Sequence, residues 1–174
     1  MAELEKTLAG NRDAVSALIT AAERSAGAWT VARAPGKWSP SQVVEHVARS
    51  LDESANVVSG APSKFPNLPF FLRPVARGLL FKRVLRTNAF PKARTNKAMD
   101  PASGPSTPAD ARARLEGALT RFDRECRACA KGAGIVESRT FGRVSVADYA
   151  RFIELHTRHH CKQMPAAAEE SRML

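Results

Sequence analysis

The chain has 174 residues, 44% of them hydrophobic and 25% charged, with a formal net charge of +10, which fits one globular domain with a real core over residues 1–174 and excludes a disordered or fibrous chain. No apolar run nears the roughly 20 residues that span a bilayer. The polar, acid-bearing opening MAELEKTLAGNRD does not read as a secretory leader, and three cysteines make no disulfide framework, so a cytoplasmic location is expected by default.

The pattern along the chain is helical nearly throughout. Leu4, Leu8, Val15, Leu18, Ile19 and Ala22 recur at helical steps and predict a first amphipathic helix over Glu3 to Ser25. A second helix has a marked start: Ser39 caps, Pro40 fits the first helical position and Gln42 completes a capping box. It should run to Val58 with Val43, Val44, Val47 and Leu51 inward, and Trp38 should pack on its first turn as a staple. Gly60, Pro62, Pro66 and Pro69 then break the pattern. A third apolar segment, Phe70 to Leu85, forms an imperfect helix interrupted by Pro74 and Gly78. Residues 87–106 read as an ordered excursion, so an inserted loop and short helix of basic character are expected over about 60–106. Thr107, Pro108 and Asp110 start the next helix, which should end at Lys131 before Gly132 and Gly134. Ile135 to Phe141 is at most extended, with no convincing strand run. Ser145 and Asp148 start the last helix, and Pro165 stops it.

Charge is unevenly distributed. From Ser54 to Met99 there is no acid, and the stretch holds Lys64, Arg73, Arg77, Lys82, Arg83, Arg86, Lys92, Arg94 and Lys97. Such a segment attracts anions, and Arg73 and Arg77, one turn apart, are the candidate anion-binding pair. No nucleic-acid motif accompanies it and the basic side chains form no single stripe, so nucleic acid is not expected and a solvated basic surface is the commoner explanation.

Four histidines are the chemically distinctive residues. His156 and His160 are four apart and share a helix face with Tyr149, Phe152 and Gln163. Imidazoles on such a face need partners: solvent and backbone are one solution, a shared metal ion is another. If His46 meets them across a helix interface, the three make a site with an open coordination position, where a bound water can become a nucleophile near neutral pH. Glu45, Glu53 and Glu154 are the nearby acids, and none is assignable as a general base; solvated or ion-paired surface roles are expected. Cys126 and Cys129 form C-x-x-C, but near the end of a helix, the wrong end for lowering a thiol pKa, so they read as ordinary small helix residues.

The pair of motifs W38-S-P-S-Q-V-V-E-H46 and H156-T-R-H-H160-C-K-Q163 resembles the DinB/YfiT-like superfamily, closest to its bacterial branch of small proteins. The resemblance implies an all-α four-helix bundle and a divalent metal held by His46, His156 and His160. It leaves His159 as the doubled histidine that is not a ligand, and gives Gln163 a supporting position behind the ligands. Zinc suits a tetrahedral site of this kind, and nickel or iron a higher coordination number. The implied activity is that of a metal-dependent transferase using a low-molecular-weight thiol, or a hydrolase, on a small-molecule substrate. The alternative is a non-catalytic, metal-stabilised bundle that binds an anionic partner through its basic residues 64–97. Homodimerisation is left open.

Overall fold

The structure, a computed structural model, describes residues 1–91 and 95–165. Four long helices form a bundle: α1 (Ala2–Arg24), α2 (Pro40–Ser59), α5 (Pro108–Lys131) and α6 (Val146–Cys161). Helix α2 packs chiefly on α5 and α1 on α6, with α1–α5 and α2–α6 contacts closing the bundle. The stripes that predicted these helices are its core: Leu8, Val15, Leu18, Val44, Val47, Leu51, Leu115 and Phe122 are all but inaccessible to solvent.

The expected caps set where these helices begin. Ser39 Oγ accepts from Gln42 N–H while Gln42 Oε1 accepts from Ser39 N–H, a reciprocal capping box. Thr107 and Asp110 make the equivalent pair on α5, and Ser145 Oγ accepts from Asp148 N–H at the start of α6. Helix α2 stops where Gly60 adopts φ 79°, a left-handed conformation that favours glycine.

Two regions interrupt the bundle. Between α2 and α5 the basic segment contains α3 (Arg73–Ala76), a π-helical turn over Arg77–Lys82 and α4 (Arg83–Thr87), end to end. Pro74 is compatible with this run because it falls in the first turn. Phe81 and Val84 anchor the run in the core, with Phe81 stacked on Phe152. Lys92 and Arg94, counted among the basic residues above, lie outside the described residues.

The second region was expected at most to be extended. It is a two-stranded antiparallel hairpin, β1 (Ile135–Ser138) with β2 (Gly142–Ser145), in the register Val136↔Val144. Val136, Phe141 and Val144 are buried, so the hairpin owes its stability to the helices beneath it. Ser138 Oγ closes the turn by accepting from the N–H groups of Thr140 and Phe141. Among the described residues, no helix is long and apolar enough to cross a membrane.

Candidate metal centre

Helix α2 presents His46, and α6 presents His156 and His160, at the face where the two helices meet. The Nε2 atoms converge: His46 to His156 is 3.3 Å and His156 to His160 is 3.1 Å. One ring nitrogen from each of the three lies within 4.8 Å of the others. Zinc holds imidazole nitrogens at about 2.0–2.1 Å, which places tetrahedral ligand nitrogens about 3.3 Å apart. The observed spacing suits a shared ion.

The outer ring nitrogens fix the tautomers. His46 Nδ1 lies 2.9 Å from the Met99 carbonyl oxygen, which only accepts, so Nδ1 carries the proton and Nε2 turns a lone pair inward. His160 Nδ1 donates in the same way to Gln163 Oε1 at 3.0 Å. His156 Nε2 therefore faces two lone pairs, and a proton there satisfies only one of them. A cation satisfies all three nitrogens at once. His156 Nδ1 is buried with no partner among the described residues, a cost the cluster carries whichever nitrogen is protonated.

Electrostatics point the same way. Burial, with the neighbouring imidazoles adding to it, lowers His156 well below the usual histidine range. Burial likewise lowers His46, against the opposing pull of the Met99 carbonyl. It takes His160 down to about 3, again with help from His46. Neutral imidazole is the form that binds metal.

His159 is not one of the three converging side chains, although its ring meets that of His160 edge-on at 5.2 Å and lines the same cleft. Its Nε2 accepts from Gln163 Nε2–H at 3.1 Å, and its ring lies against Phe90 at 5.7 Å. Gln163 thus joins His159 to His160 through the two ends of one amide.

The histidines open into a cleft whose walls were not read from the sequence. Trp38, expected to pack on the first turn of α2, sets its ring 4.7 Å from His46 and 6.0 Å from His160, and its indole N–H donates to Asp100 Oδ1 at 3.0 Å. Phe90 closes the opposite side, 5.4 Å from His156. Phe65, Asn96 and Met99 add further wall from the excursion, and the exposed cations Arg33 and Lys37 also line the cleft. The proximity of Met99 to His46 had no local signal; it is a contact across 53 positions.

Among the described residues, no carboxylate lines this cleft; Asp100 stands behind the Trp38 indole that it accepts from. Glu45 pairs with Arg49 at 2.7 Å and Arg114 at 3.4 Å. Glu53 accepts from the Lys64 backbone N–H at 2.8 Å. Glu154 is buried between Arg151 and Arg158, at 2.5 and 2.8 Å. Arg73 and Arg77 lie elsewhere too: Arg73 Nε donates to the Leu68 carbonyl and Arg77 Nη1 to the Arg143 carbonyl. Cys126 is buried in the last turns of α5, and burial raises both its thiol and that of Cys129, so neither is poised as a thiolate.

Fold and site together define a helical-bundle protein with a three-histidine group able to hold a metal ion. The chain belongs to the DinB superfamily, whose family model matches residues 3–164. No curated protein and no solved structure matches it significantly.

Proposed function

We propose that this chain is a divalent-metal-dependent enzyme whose ligands are His46, His156 and His160, acting on a small molecule by thiol-dependent transfer or by hydrolysis. The observation that carries this reading is the convergence of three Nε2 atoms, two of them with lone pairs turned inward, at an open cleft. When bound, zinc, nickel or iron would supply positive charge that lowers the pKa of a thiol or water at its open positions. The chain's own residues do the rest. Met99 and Gln163 orient two of the ligands through their outer nitrogens. Trp38 and Phe90 shield the histidines with apolar surface. Arg33 and Lys37, with no carboxylate among the described residues that line the cleft, favour a substrate with an anionic end, a thiolate or carboxylate among them.

The lack of a lining carboxylate among the described residues also supports a second reading, a metal-stabilised bundle without turnover, because Asp100, the acid beside the cleft, is engaged by the Trp38 indole. Elemental analysis of the purified chain followed by a screen of electrophiles with low-molecular-weight thiols, and of ester and amide hydrolysis, separates the two. Metal with turnover supports the enzyme; stoichiometric metal with no turnover supports the binding protein; no metal in freshly purified or reconstituted protein rejects both.

A further inference from the structure

The segment from Phe70 to Arg86 exposes a ridge of unusual composition. Its exposed positions run Phe70, Phe71, Leu72, Pro74, Val75, Gly78 and Leu79, then Lys82, Arg83 and Arg86. The leading part is apolar and the trailing part cationic. Phe70, whose ring meets that of Phe71 edge-on at 5.7 Å, is still 79% exposed and Leu79 is 71% exposed, so among the described residues nothing covers these large apolar side chains. The opposite side of the same run, Phe81 and Val84, is fixed in the core, so the ridge is held outward by the fold.

The charges on this ridge are uncompensated. Lys82, Arg83 and Arg86 enter no ion pair among the described residues, whereas arginines elsewhere are repeatedly paired with acids. No acid occurs between Ser54 and Met99. The neighbouring hairpin's Glu137 is paired with Arg143 at 3.1 Å and offers no counter-charge.

We propose that this ridge docks the protein on an anionic lipid bilayer. The phenylalanines and leucines enter the headgroup boundary while Lys82, Arg83 and Arg86 meet lipid phosphates. A second copy fits poorly. A two-fold interface sets a patch against itself, and here cations would face cations with no carboxylate between them. The proposal does not depend on the metal reading, because no residue of the ridge lines the histidine cleft.

The test is co-sedimentation of the full chain with vesicles of phosphatidylcholine alone and of equimolar phosphatidylcholine and phosphatidylglycerol. Binding is expected to the mixed vesicles and should weaken as salt is raised. Phe71→Ser with Leu79→Ser should reduce it at least about tenfold, since two large apolar side chains are withheld from lipid. Lys82→Gln with Arg86→Gln should reduce it about thirtyfold. All four positions are exposed, and circular dichroism checks that each variant keeps its helices. Equal binding to both vesicle types, or no binding to either, would overturn the proposal. So would a concentration-dependent dimer that Leu79→Ser dissolves without any vesicle binding, which would give the ridge to a second copy.

Discussion

The four long helices and the excursion between α2 and α5 are held by different means. The helices bury continuous apolar stripes and pair their charges: Arg12 with Asp123, Arg112 with Glu23, Arg114 with Asp52. A single acid, Asp100, stands in the excursion, where it accepts from the Trp38 indole and enters no ion pair among the described residues, and the buried apolar residues of the excursion among those described are Phe81, Val84, Met99 and Pro101. Hydrogen bonds fasten its far end instead. The Pro105 carbonyl accepts from Trp29 Nε1–H and Ser41 Oγ–H at 2.8 Å each, and Gln42 Nε2–H donates to the Pro101 carbonyl at 3.0 Å. The histidines stand at the seam, with rings from the bundle and walls from the excursion. A rigid part fixes the candidate ligands, and a part fastened at a few points shapes what reaches them.

The largest expected effect falls on the bundle side of the seam. His46→Ala, His156→Ala and His160→Ala should each lose most of the bound metal, while His159→Ala should keep it, as read by elemental analysis. Chelation should lower the melting temperature but leave the helical circular dichroism, because the apolar stripes remain; an ion at a hundredfold excess over its Kd contributes about 2.7 kcal/mol. Equal metal in all four variants would break the division of labour.

Next in size, Phe122→Ala should cost about 3–5 kcal/mol in denaturant unfolding, since it empties a fully buried site between helices. Phe70→Ala on the excursion should change stability by no more than about 0.5 kcal/mol.

Acid should act on the seam. His46, His156 and His160 are depressed by burial in the folded chain, so below the ordinary histidine pKa of about 6.5 the unfolded state binds more protons than the folded one. Stability of the metal-free protein should therefore fall as pH drops from there toward about 3, the value His160 reaches. Each histidine contributes at most about 1.4 kcal/mol per pH unit. In His160→Ala the slope should be shallower; an unchanged slope would remove this histidine from the account.

The smallest effect tests the fastening. A Cβ on Gly104 would sit 2.1 Å from the Ser41 carbonyl oxygen, a backbone atom that cannot swing aside. Gly104→Ala should cost about 1 kcal/mol and loosen the seat beside Met99, weakening metal affinity measured by competition with a chelator. Unaltered affinity would show that His46 holds its orientation without the excursion.

These differences also explain what could be read in the sequence. Helical stripes and capping boxes are local, so the four long helices and the shared face of His156 and His160 were legible, whereas the meeting of His46 with them was implied by the family resemblance of the two motifs. The hairpin was not, because strands of four residues are too short for alternation to show and their stability comes from helices distant in the chain. Trp38, Phe90 and Met99 as neighbours of the histidines were invisible for a related reason: each reaches at least one of them through a contact distant in sequence. Trp38 did carry a signal, its place just before the cap, but that signal pointed to the first turn alone.

The separation of rings from walls bears on how such a protein can change over generations. Phe65, Phe90 and Asn96 belong to a stretch that sets no helix register, so substitutions there reshape the cleft without disturbing the spacing of the histidines. Length can drift as well, because closing a longer loop costs only about 0.6 kcal/mol for each doubling. A lineage built on this frame can rewrite the shape of its cleft within a single segment, with the three imidazoles inherited intact.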